Sequence, residues 1–167
     1  HVVFGVEALR VDIEVDAFKG INPSFNIVGL PDVAMRESVD RVRSALVSTG
    51  FHLQANKVVI NLAPADVRKE GASLDLPMAL GLLASSGFVP PDMLGDYSVV
   101  GELGLDGVVR TVPGVLSLAT GARQAGLRGI MVPEANASEA AMVDGIEVLA
   151  VRDLAQVAAF FSRQEML

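Results

Sequence analysis

Residues 75–84, "DLPMALGLLA", constrain this chain more than any other stretch. Read as a helix, they are apolar around nearly the whole circumference. A helix without a polar stripe has to be buried by other elements. Asp75 is the expected N-cap, Pro77 suits the first turn, and Gly87 is the expected stop. The enclosing elements can be read on both sides. In "VDIEVDAF", Val11, Ile13 and Val15 alternate with Asp12, Glu14 and Asp16. That period of two predicts a half-exposed antiparallel strand, paired with the segment before it. "SFNIVGLP" predicts a strand ending at Gly29, and "KVVINLAP" another closed by Pro64. Between them, Val39, Val42 and Leu46 recur at helical spacing over residues 32–49, with Gly50 as the C′ stop.

Past Gly87 the spacing of elements shortens. "YSVVGELGLDGVV" predicts two short strands about the turn 105–108. A helix over 113–125, the strand "GIMVP", a short helix near 138–142, the strand "IEVLAV" and the helix "DLAQVAAFF" follow. Helix and strand in alternation predict crossovers onto the same sheet. The expected fold class is α/β, a mixed sheet with packed helices. With 167 residues, 51% of them hydrophobic, the chain suits a single domain over residues 1–167.

Composition removes several classes of chemistry. Without cysteine there is no disulfide, thiol nucleophile or zinc-finger spacing. His1 and His52 are far apart and have no local ligand partner, so no metal site or cofactor is expected in this segment. No apolar run reads as a membrane span, no signal-peptide pattern opens the chain, and the expected location is the cytoplasm. A phosphate loop of the G-x-x-x-x-G-K-[ST] type is absent. Asp12 and Asp16 read as a solvated strand face.

The net charge of −7 argues against a surface that binds nucleic acid everywhere. Its distribution is uneven. Residues 36–69 carry Arg36, Arg41, Arg43, Lys57, Arg68 and Lys69 against Glu37, Asp40 and Asp66, a window of +3 in a chain that is otherwise −10. The residues themselves leave two readings open: contact with phosphate, and an ordinary exposed helix held by the i,i+4 pairs Glu37–Arg41 and Arg36–Asp40.

The stretch "RKEGASLDLPMA" raises a different possibility, because a serine after a glycine turn at a helix mouth is a setting for a nucleophile. Ser73 needs a base. The chain has three lysines, Lys19, Lys57 and Lys69, none after Ser73, and its arginines stay protonated. Neither histidine adjoins the motif in sequence. Ser73 therefore reads as a turn residue.

Four ordered blocks, "SFNIVGLPDVAMRESVDRVRSAL", "INLAPADVRKEGASLDLPMALGLLA", "VVGELGLDGVVRTVPGVLSLATGARQAG" and "IMVPEANASEAAMVDGIEVLAV", resemble the N-terminal domain of the YifB/ComM family, bacterial magnesium-chelatase-like AAA+ proteins. The resemblance covers nearly the whole chain. It implies a Lon-protease-like fold (ribosomal protein S5 domain 2-like), related to the C-terminal domain of RadA. It also implies an ATPase module beyond Leu167 that uses ATP and Mg, and assembly with neighbouring subunits into a homo-hexamer, which adds contact with a subunit or the ATPase module as a third reading of Arg36, Arg41, Arg43, Lys57, Arg68 and Lys69. The implied function is a non-catalytic auxiliary domain supporting ring assembly or DNA engagement, in a motor that remodels branched DNA during recombination or natural transformation. The alternatives are a residual Ser–Lys peptidase-like hydrolase and a regulatory domain of a metal-chelatase-like ATPase. By the same resemblance, "EGAS" places Ser73 at the Lon nucleophile position. The Lon lysine position falls on Leu118, whose helical spacing with Val115 and Ala122 reads as core.

Overall fold

A computed structural model describes residues 2–4, 9–66, 69 and 71–162. Strands β1 (Val2–Phe4), β2 (Leu9–Phe18), β3 (Ser24–Val28) and β4 (Lys57–Ala63) form one sheet in the order β1-β2-β4-β3. β2 runs antiparallel to β1 and β4, as the alternation at 11–16 predicts. β3 and β4 are parallel, so the chain between them must cross over. It does so through α1 (Val33–Ser48).

Register sorts the residues of this sheet into two faces. Val15, Ile60 and Ile27 fall in one row on the inner face, while Asp16, Val59 and Asn26 fall in one row on the outer face. The inner face is covered by α1 and α2 (Asp75–Ser85). As its composition demands, α2 is enclosed, with Leu76, Ala79, Leu82 and Leu83 inaccessible to solvent. It lies very close to β2: a β-carbon at Gly81 would sit 2.6 Å from Val15 Cγ2. Only glycine allows that approach.

The expectation of one sheet is corrected beyond α2, where the later strands do not join the first sheet. β5 (Tyr97–Val99), β8 (Gly129–Pro133) and β9 (Glu147–Val151) form a separate parallel sheet in the order β5-β8-β9. Between them lie the hairpin of β6 (Glu102–Leu103) and β7 (Val109–Arg110), α3 (Val115–Gln124) and α4 (Ala137–Ala140); α5 (Leu154–Phe161) comes after β9. The physical reason is burial. Every residue of β5 and β8 is buried, as in parallel sheets covered on both faces, whereas β2 keeps an exposed polar row. One continuous core joins the two sheets, running from Val11 and Ile60 to Ile130, Val151 and Phe161. No helix among the described residues is long and apolar enough to cross a membrane.

Candidate functional site

The turn 71–74 brings Ser73 to the mouth of α2. The Gly101 N–H donates to the Ser73 carbonyl at 2.9 Å, and the Leu76 N–H donates to the Gly101 carbonyl at 3.0 Å. The serine backbone is thus fixed against the segment after β5. Its half-buried side chain has no hydrogen-bond partner among the described residues. Leu118 is 5% exposed on α3, beside fully buried Val115, Ala119 and Ala122. It is a core residue, as its spacing predicts.

Lys69, the nearest lysine in sequence, faces away from any such chemistry. It is 1% exposed, and its ammonium donates to the carbonyl of Gly29 at 2.9 Å and to that of Pro64. Burial pushes this amine below the usual lysine range, with Asp66 opposing the shift. Its main chain exchanges hydrogen bonds with the turn before α1, N–H to the Leu30 carbonyl (3.1 Å) and carbonyl from the Asp32 N–H (3.0 Å). Asp32 completes the junction. One carboxylate oxygen caps α1 through the Met35 N–H at 2.8 Å, and the other accepts from the Gly71 N–H at 3.0 Å. Contact with phosphate or a neighbouring subunit, left open for Lys69 by its sequence, is corrected for this residue: two main-chain carbonyls draw it inward.

A second correction concerns Asp75. Leu74 occupies the N-cap position of α2 without a side-chain bond, and Asp75 is the first helical residue. Its carboxylate is fully buried against the Arg41 guanidinium, Nε to Oδ2 at 2.6 Å and Nη2 to Oδ1 at 3.2 Å. Oδ2 also accepts from the Leu103 N–H at 3.1 Å, while Arg41 Nη2 donates to Ser38 Oγ and the Ala34 carbonyl. The hydrogen bond to Asp75 raises the Arg41 pKa above its ordinary value. Arg41 thus pins α1 to α2 and β6 and is not free for a ligand, with Glu37 only a minor electrostatic neighbour. Buried carboxylates require such a partner.

Of the other cations, Arg36 and Arg43 are exposed on α1, seven residues apart and so on one stripe of the helix. Lys57 is half-buried with its stem against Gly20. Arg68, like Glu70, lies outside the described residues, as does His1. The window that is continuous in sequence is thus divided in space, with Arg41 and Lys69 turned inward.

What sequence reasoning missed lies beside Arg43. Its guanidinium stands 5.8 Å from the centroid of the Phe25 ring, at a cavity of about 240 Å³ that also meets Leu46, Phe51, His52 and Val58. A second cavity of about 240 Å³ lies between Phe18, Lys19, Gln54, Ser86 and Phe88. No local pattern announces these neighbours, because strand register and the α1 crossover bring them together. Among the described residues no group of three or more His, Asp or Glu side chains could hold a metal ion.

Comparison with known proteins accounts for the architecture. The family described as subunit ChlI of Mg-chelatase matches residues 13–136. The chain is 42% identical over 167 residues to the protein YifB of Escherichia coli, covering 100% of this chain and 33% of YifB. It is 40% identical over 163 residues to the competence protein ComM of Haemophilus influenzae, covering 98% of this chain and 32% of ComM. It therefore spans about a third of the length of these relatives. A weaker likeness, 28% identity over 121 residues, relates it to Lon protease 2 of Bacillus subtilis, covering 72% of this chain and 21% of that protein. The mixed α/β fold agrees with a Lon-like one.

Proposed function

This chain belongs to the YifB/ComM family of magnesium-chelatase-like proteins, and from that premise we propose that it is a non-catalytic accessory domain of a AAA+ ATPase. In this reading the ATPase module lies elsewhere in the protein and supplies ATP and Mg chemistry. The present domain supports assembly of the ring with neighbouring subunits, or its engagement with branched DNA. One observation carries the non-catalytic half: among the described residues no side chain hydrogen-bonds the Ser73 hydroxyl. By the resemblance to Lon, Leu118 would stand in the place of the lysine, and the amine of Lys69 is committed to the carbonyls of Gly29 and Pro64. An unactivated hydroxyl is a poor nucleophile. A serine-directed fluorophosphonate is expected to label neither this chain nor its Ser73→Ala variant. Labelling or casein cleavage that disappears in the variant would return the domain to the Ser–Lys peptidase class suggested by its likeness to Lon.

Arg36 tests the other half, because it is exposed on α1 whereas Arg41 and Lys69 are structural. In the full-length protein, Arg36→Glu is expected to weaken ring assembly or DNA affinity. Loss of the hexamer in sedimentation with ATP assigns this stripe to a subunit contact. A retained hexamer, with the salt dependence of duplex binding flattened by about 0.9 in log–log slope, assigns it to a phosphate. Wild-type behaviour in both assays overturns the reading for α1.

A further inference from the structure

Where β2 ends and β3 and β4 begin, Phe18 and Ser24 both pair with Lys57 across the sheet. The C-terminal ends of α1 and α2 close over this end, bringing in Arg43 and Val47 from one and Ser85 and Ser86 from the other. The two cavities here share Ala55 as a common wall. Phe51 lines the first and Phe88 the second, and the two rings meet edge to face at 5.3 Å. Four of the seven phenylalanines of the chain thus gather at one end, and Phe18 (46%) and Phe88 (42%) remain exposed.

The charge is as selective as the apolar surface. Lys19, Arg43 and His52 line the two cavities, and no carboxylate among the described residues does, although acids outnumber cations in the chain. The Ser86 hydroxyl, buried without a hydrogen-bond partner among the described residues, lines the second cavity. Aromatic faces interleaved with cations, with neutral polar groups at hand, suit flat rings joined by anionic links. Each cavity falls below the roughly 300–1,000 Å³ typical of drug-sized ligands and suits one ring at a time.

We infer that this end of the molecule holds consecutive unpaired nucleotides of a single strand, their bases in the two cavities against Phe25, Phe51 and Phe88, their phosphates on Lys19 and Arg43. A duplex cannot enter, because its base faces are occupied by stacking. The inference deepens the DNA-engagement side of the proposed function and rests on it.

The test is the fluorescence anisotropy of a labelled oligothymidylate titrated with this chain at several salt concentrations. Phe88→Ala, which removes an exposed ring, is expected to weaken binding by about tenfold. Lys19→Glu combined with Arg43→Glu is expected to flatten the salt dependence by at least about 1.4 in log–log slope, about 0.7 for each phosphate on a single strand. Arg123→Glu on α3 serves as the control and is expected to bind as wild type. Melting curves keep folding separate from binding, and should Phe88→Ala fold poorly, the charge variant alone decides. The site is overturned if the chain binds no oligothymidylate, if both variants bind with wild-type affinity and slope, or if an acidic peptide binds in its place. Displacement by thymidine monophosphate as effective as by the oligonucleotide would overturn the strand and leave a mononucleotide pocket. The same variants in the full-length ring separate the two claims. Oligonucleotide binding lost by the chain while branched-DNA remodelling stays intact refutes the ring's DNA engagement through this domain and keeps the site.

Discussion

Replacing Arg41 by methionine is expected to destabilise the chain by about 3–5 kcal/mol, the usual cost of stranding one partner of a buried ion pair. The effect is large because Asp75 has no access to water and loses both guanidinium contacts at once. The Leu103 N–H remains as a donor to the carboxylate, yet one neutral hydrogen bond cannot offset a desolvated charge. Ser38 Oγ and the Ala34 carbonyl lose their donor as well. Denaturant unfolding followed by circular dichroism measures the change. Combining Arg41→Met with Asp75→Leu should recover much of the loss, because the stranded charge is then gone. A single variant within about 1 kcal/mol of wild type would mean that Asp75 is not held in this pair.

Leu118→Lys should have an effect of similar size, about 4 kcal/mol or more, by a different mechanism. Leu118 is 5% exposed, and fully buried Val115, Ala119 and Ala122 leave no carboxylate on its own helix face to pair with an ammonium. For a chain of this length, 1 kcal/mol corresponds to about 2–4 °C, so a fall in Tm of about 8–16 °C is expected at minimum. Leu118→Met, which nearly conserves volume, should cost less than about 1.5 kcal/mol. Equal melting of the lysine and methionine variants would place this face of α3 in solvent. The substitution also bears on the proposed lack of peptidase chemistry, since a lysine introduced at this position is expected to unfold the site before it could activate Ser73.

These two positions show what can be read from the sequence and what cannot. Leu118 is legible because its companions lie three and four residues away, where helical periodicity operates. The same holds for the alternation at Val11, Ile13 and Val15 and for the Gly50 stop of α1. Asp75 misleads because a capping aspartate and a buried ion-pair aspartate look alike in sequence; the partner that distinguishes them is 34 residues away. Lys69 obeys the same logic, since its acceptors, Gly29 and Pro64, are found only once β3 and β4 are side by side. The second sheet escapes a reading that counts strands without asking about exposure. The runs that become β5 and β8 lack the polar alternation of β2, which marks strands covered on both faces.

The attachments of α1 also have a mechanical meaning. Its first turn shares Asp32 with the Gly71 N–H, its middle is fastened to α2 and β6 through Arg41 and Asp75, and the turn before it is riveted by Lys69 to the end of β4. A helix held at one point pivots when pushed, whereas one held at its entry and again at its middle carries the load into the body behind it. Force delivered to the outer stripe at Arg36 and Arg43 therefore reaches α2 and the core as displacement of a stiff unit. α1 is thus a rigid rib of the domain rather than a hinged flap.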